Sequence, residues 1–143
     1  MNKTSYEEYL NKYGELTYRN VGVSMLPMLK QGRDLFTVSK KNSGRCKKYD
    51  VVLYRRPPNR YVLHRIVEVR EDGYVILGDH CMNKEYGVTD EDIVGVLVSF
   101  QHRGKEYPVT DRRYRIYSRL WYWIYPIRKL AFRLKSFIKR DGD

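Results

Sequence analysis

Lys48-Tyr49-Asp50-Val51-Val52-Leu53-Tyr54-Arg55-Arg56-Pro57-Pro58-Asn59-Arg60-Tyr61-Val62-Leu63-His64-Arg65-Ile66-Val67 is the stretch on which the reading of this chain turns. Two runs rich in β-branched and aromatic residues, 50–56 and 61–70, flank Pro57-Pro58-Asn59. Proline removes a backbone donor and asparagine tolerates turn torsions, so the stretch predicts two strands joined by a turn. Further short runs of the same kind lie at Glu15 to Val21, Asp34 to Ser39, Tyr74 to Leu77, Asp92 to Phe100 and Lys105 to Val109. Turn signals separate them at Asn42-Ser43-Gly44, Glu71-Asp72-Gly73 and Arg103-Gly104. This spacing predicts an antiparallel sheet of barrel-like or sandwich type rather than an alternating α/β fold.

The two ends read differently. Residues 4 to 12 predict a short polar helix that stops near Gly14. From Asp111 onward the pattern is helical, with Pro126 dividing two segments. In the second segment Ile127, Leu130, Ala131, Leu134, Phe137 and Ile138 share one face, while Arg128, Lys129, Arg133, Lys135 and Lys139 occupy the other. The apolar run from Leu120 to Ile127 falls far short of the ~20 residues that span a bilayer. The expected architecture is therefore mainly β: an antiparallel sheet or partly open barrel over residues 1–110, with a short N-terminal helix, followed by a basic aromatic helical tail over 111–143. Two uses of that tail stay open, packing onto the sheet or lying flat on an anionic membrane through residues 118–140.

Composition bounds the function classes. The 143 residues are 42% hydrophobic and 31% charged, and the 14 tyrosines exclude a disordered chain, so one folded domain is expected. The net charge of +11 is concentrated at the C-terminal end, where residues 111–143 hold ten Lys or Arg against three Asp. Such a balance suits nucleic acid or an anionic membrane, and charge alone does not separate them. Met1 to Leu16 carries acidic residues and no apolar core of signal-peptide length, which predicts a cytoplasmic protein, peripheral at the membrane if the tail docks there. Cys46 and Cys81 have no metal-ligand spacing and are read as free thiols.

The chemistry centres on Gly22-Val23-Ser24-Met25-Leu26-Pro27. Glycine permits unusual torsions before the serine and proline discourages regular structure after it, a setting that exposes a hydroxyl and frees its backbone N–H for an oxyanion. Gly32-Arg33-Asp34, Lys48 to Tyr54, Val62-Leu63-His64-Arg65-Ile66-Val67, Gly78-Asp79-His80 and Asp92-Ile93-Val94-Gly95 follow in order. Together these six blocks resemble the signal peptidase and SOS-repressor protease superfamily, and His64-Arg65 resembles its archaeal and endoplasmic-reticulum variant, in which histidine replaces the lysine base.

That resemblance implies a serine endopeptidase that cleaves a precursor or leader peptide through an acyl-enzyme. Ser24 would be the nucleophile, His64 the general base and Asp79 the group that orients the imidazole, with Asp90 and Asp92 as fallback acids. The oxyanion hole would use the Ser24 N–H, with Gly22 supporting the backbone; glycine there excludes a hydroxyl donor. Histidine suits the base role, since an ordinary pKa of ~6.5 leaves it largely neutral near pH 7. Lys84 would be the base to test if activity rose only at alkaline pH. His80 departs from the asparagine of the family's Gly-Asp-Asn block. Neither a metal nor an organic cofactor is expected, because His64, His80, His102 and Cys81 lack ligand spacing. The competing class is a basic β-barrel that binds nucleic acid through exposed tyrosines without peptidase activity.

Overall fold

The computed structural model describes residues 3–58 and 60–141. Eleven elements follow in chain order: α1 (Lys3–Tyr13), β1 (Glu15–Arg19), β2 (Leu35–Lys40), β3 (Val51–Arg56), β4 (Arg60–Arg70), β5 (Gly73–Leu77), β6 (Glu85–Val88), β7 (Ile93–His102), β8 (Lys105–Pro108), α2 (Arg112–Trp123) and α3 (Tyr125–Asp141). The strands form one antiparallel sheet in the order β1-β2-β7-β3-β4-β5-β6, with β8 paired to β7. β1 and β6 lie at opposite ends without pairing to each other, so the sheet is open rather than a closed barrel. No described helix is long and apolar enough to cross a membrane.

The hairpin β3–β4 carries the centre of the fold. In its register Val51 faces Arg65, Val52 faces His64 and Tyr54 faces Val62. Because side chains alternate across a strand, odd and even positions serve opposite faces. Val51, Leu53 and Leu63 join a core with Leu16, Phe36, Val38, Leu97 and Phe100, roofed by Leu10 of α1 and by Met25, Met28 and Leu29 of the β1–β2 connection. On the other face Val52, Tyr54 and Ile66 pack with Tyr74, Ile76, Val88 and Ile93. Truncating a fully buried aliphatic here, such as Leu29 or Ile66, should cost about 2–5 kcal/mol.

Two differences from the sequence reading matter for the site. Strand β6 carries only Glu-Tyr-Gly-Val, with charge and a positive-φ glycine where strands usually alternate apolar and polar, and its pairing to β5 overrides that weak local signal. The helical tail also divides in its packing. Asp111 caps α2 by accepting the N–H groups of Arg113 and Tyr114, and Tyr114 and Ser118 are buried against the sheet. Of α3, Tyr125 enters the interior beside Val67, Val75 and Leu77. The later apolar residues of α3 stay exposed.

Candidate active site

The connection between β1 and β2 holds Ser24 in a turn pinned at both ends. Asn20 donates from its side-chain amide to the Leu29 carbonyl at 3.2 Å. Gly22, at φ +84°, donates its N–H to the Gln31 side chain. That torsion favours glycine, and the engaged N–H makes Gly22 a support for the turn rather than an oxyanion donor. At the far end the buried Asp34 carboxylate accepts the N–H groups of Lys30 and Arg103 and a bidentate Arg33. Burial alone would raise the Asp34 pKa, but these donors outweigh it and hold it at about 2.

Within the turn the alternation of Ser24 and Met25 separates chemistry from packing. Met25 is buried, and its sulfur accepts the Asp79 N–H at 3.4 Å. Ser24 is half-buried at a cleft of about 820 Å³, and its carbonyl accepts the His80 N–H at 2.8 Å. Among the described residues the Ser24 N–H has no intramolecular acceptor, which leaves it available to an oxyanion.

His64 reaches the same cleft from β4. Gly78 stands between them: a Cβ there would lie 2.8 Å from the Ser24 carbonyl oxygen and 2.9 Å from His64 Nε2. Only the absence of a side chain lets serine turn and imidazole close on the same point. The third atom at that point is Cys81 Sγ, 2.6 Å from the same position. Both cysteines are free, as expected from their spacing. Burial raises the Cys81 pKa, so its sulfur is a protonated thiol near neutrality and a poor nucleophile.

The far side of the imidazole gives a correction. Asp79 does not hydrogen-bond His64. Its carboxylate is taken by Arg65, with Nε to Oδ1 and Nη2 to Oδ2 both at 2.9 Å, and by the Tyr117 hydroxyl at 2.7 Å. Arg65 follows His64 in the strand and therefore points to the opposite face, taking Asp79 with it. Asp90 accepts from Tyr74 and Asp92 from Thr89, so neither fallback acid meets the ring. Lys84 lies over the rings of Tyr122 and Tyr125, and its hydrogen bond to Tyr122 raises its pKa, the wrong direction for a neutral base.

The partner of His64 Nδ1 is the Tyr54 hydroxyl at 3.3 Å, a diagonal neighbour on the same face. Tyr54 in turn donates to Glu85 of β6, which Arg56 Nε also binds at 2.9 Å. Arg56 Nη2 donates to the Tyr54 oxygen at 3.1 Å. Burial would raise the Glu85 pKa, yet Arg56 and Tyr54 outweigh it and hold it low, while burial and Glu85 push Tyr54 up. Glu85 is therefore carboxylate and Tyr54 phenol. The one phenolic proton points to Glu85, so His64 must donate from Nδ1 and keep Nε2 unprotonated toward the cleft. Burial, assisted by the positive charge of Arg56, lowers the His64 pKa to about 4.

Sequence reasoning missed Tyr54, Arg56 and Glu85 as a unit. Tyr54 and Arg56 share a strand face, and a polar residue two positions after a tyrosine on the strand paired with His64 was the available signal. Glu85 gave none, because its strand was not legible. No group of three or more His, Cys, Asp or Glu residues able to hold a metal ion occurs among the described residues. No protein-family model, no curated protein and no solved structure matches this chain.

Proposed function

We propose that the chain is a serine endopeptidase acting through Ser24 and His64 on an extended peptide substrate. The observation that carries the reading is that the Ser24 turn, through its carbonyl oxygen, and Nε2 of a neutral His64 both close on Gly78, and that both residues line one cleft. Ser24 Oγ attacks the scissile carbonyl carbon while its proton passes to His64 Nε2, and the oxyanion takes the Ser24 N–H. The imidazolium keeps donating its Nδ1–H to the Tyr54 oxygen, while the Tyr54 hydroxyl donates to the Glu85 carboxylate. His64 then protonates the leaving amine, leaving an acyl-enzyme. Water loses a proton to His64 as it attacks the ester, and collapse frees the acid and restores the serine.

Val23, Val62 and Leu63 line the cleft together with Ser24 and His64, and an extended peptide is the substrate form proposed for it. A precursor or leader peptide is the substrate class that the resemblance of the six sequence blocks implies. The competing nucleic-acid reading would rest on the exposed Tyr9, Tyr13 and Tyr86, none of which lines the cleft that holds Ser24 and His64.

A fluorophosphonate probe tests the proposal directly. Peptide mapping should place the adduct on Ser24, and labelling should vanish in Ser24→Ala and fall sharply in His64→Ala. Cys81→Ser should label like the parent. Labelling that survives in Ser24→Ala, or that follows Cys81, would sink the assignment.

A further inference from the structure

We propose that the exposed apolar stripe along α2 and α3 docks on an anionic lipid bilayer, with both helices lying in the plane of the headgroups. On α2 the stripe is Ile116, Leu120 and Trp123, spaced four and three apart, with Trp123 77% exposed. On α3 it continues through Ile127, Leu130, Leu134, Phe137 and Ile138, all more than half exposed. At 3.6 residues per turn those five fall within an arc of roughly 100°. None of them belongs to the interior clusters, which take only Tyr125 from this helix.

Charge selects the occupant. Residues 112–139 contain six Arg and three Lys and no Asp or Glu. A second copy of the chain would bring two such segments together and oppose like charges across the seam. Nucleic acid would meet the cations, but apart from Trp123 and Phe137 the stripe is aliphatic and offers bases little stacking surface. An anionic bilayer satisfies both properties: phosphate headgroups meet the guanidinium and ammonium groups, and the acyl boundary takes the aliphatic arc. Exposed Trp123 suits the headgroup depth, and helix α3 lies on such a surface rather than spanning it. Lys129, Phe132 and Arg133 of the same helix line the cleft that holds Ser24 and His64. Docking therefore brings the cleft to the lipid surface, a consequence that rests on the peptidase reading, whereas the docking itself does not.

Cosedimentation of the full chain with vesicles is the test, using phosphatidylcholine alone and phosphatidylcholine mixed with anionic phosphatidylglycerol. The chain should bind the anionic vesicles at least tenfold more tightly, and raising the salt to ~1 M, where the Debye length is about 3 Å, should weaken binding severalfold. A variant carrying Ile127→Gln, Leu134→Gln and Ile138→Gln, all at exposed positions, should keep its circular dichroism and lose at least tenfold in anionic-vesicle affinity. Equal affinity for both vesicle types, no binding to either, or full binding by the triple variant overturns the proposal. So does a dimer in buffer that the triple variant abolishes, or oligonucleotide binding without vesicle binding. Each readout is independent of catalysis, so loss of peptidase activity alone would leave the docking result intact.

Discussion

His64 and Arg65 are consecutive residues of one strand, both buried, and they solve the problem of burial in opposite ways. Arg65 keeps its charge. All five of its N–H groups are engaged, by the Asp79 carboxylate, the Tyr49 carbonyl, the Tyr114 hydroxyl and the Met28 sulfur. Burial opposes a charged guanidinium, but Asp79 and these partners more than compensate and raise its pKa. His64 has one phenolic partner and a nearby cation, and it gives up its charge instead, at a pKa of about 4. A strand thus sorts its polar residues by face: one face supports a paired ion, and the other holds a neutral imidazole.

The largest effect should come from the reactive face. If the chain is the proposed peptidase, Ser24→Ala and His64→Ala should each lower kcat/KM by ~10⁴–10⁶-fold, with the double variant little worse, because the two would act as a unit. Steady-state rates on a cleaved peptide check this, and a folded single variant with parental activity would break the contrast at its root.

Next comes the ionic face. Asp79→Asn strips a buried guanidinium of its countercharge and should cost about 3–5 kcal/mol in urea unfolding. Were Asp79 instead the orienting acid, the dominant loss would be in turnover, on the order of 10⁴-fold, with stability barely changed. The ratio of the two effects decides which residue Asp79 serves.

The pH dependence of stability sharpens the comparison further. Below ~6.5 the unfolded chain protonates His64, while the folded protein resists until about 4. The unfolded state therefore binds the extra proton, and stability falls as pH drops through that window, by at most about 3 kcal/mol. His64→Gln should flatten unfolding free energy between pH 6.5 and 4, leaving the losses of carboxylates whose pKa is held low, Asp34, Glu85, Asp90 and Asp111, at more acid pH. The acid limb of kcat/KM should likewise sit well below 6.5.

The smallest effect should come from the relay. Tyr54→Phe removes the acceptor of the imidazolium Nδ1–H, a charge-assisted bond of about 1.5–3 kcal/mol, and should lower kcat by ~10–100-fold with KM little changed. Glu85→Gln should do less to kcat but move the acid limb further down, since a nearby negative charge favours the protonated ring. Unchanged kcat in Tyr54→Phe would return the orienting role to longer-range charges.

The strands were legible from sequence because their apolar runs and turn residues agree with their tertiary roles, as in the hairpin around Pro57-Pro58. Strand β6 was not, because Glu85 and Gly87 are shaped by a partner strand rather than by local preference. The positions of Ser24 and His64 could be read from ordered motifs, and the structure brings both to Gly78. The role of Asp79 could not, since which acid meets which base depends on the face each residue occupies. One position in the count along β4 separates His64 from Arg65, and no motif encodes that difference. The membrane question was likewise open, because amphipathicity alone does not say whether an apolar face is covered.

Arg65 also has a consequence for the order in which the molecule is made. Its shell draws on Met28, Tyr49, Asp79 and Tyr114, segments scattered over most of the chain. During synthesis at ~5–20 residues per second, Ser24, His64 and Asp79 leave the ribosome several seconds before Tyr114 and Tyr117. Until those phenols arrive, the arginine and aspartate lie in an incomplete shell open to water. A nascent chain that already carries Ser24 and His64 would therefore still lack the helix that completes the shell of Arg65, and maturation of the cleft would wait on α2.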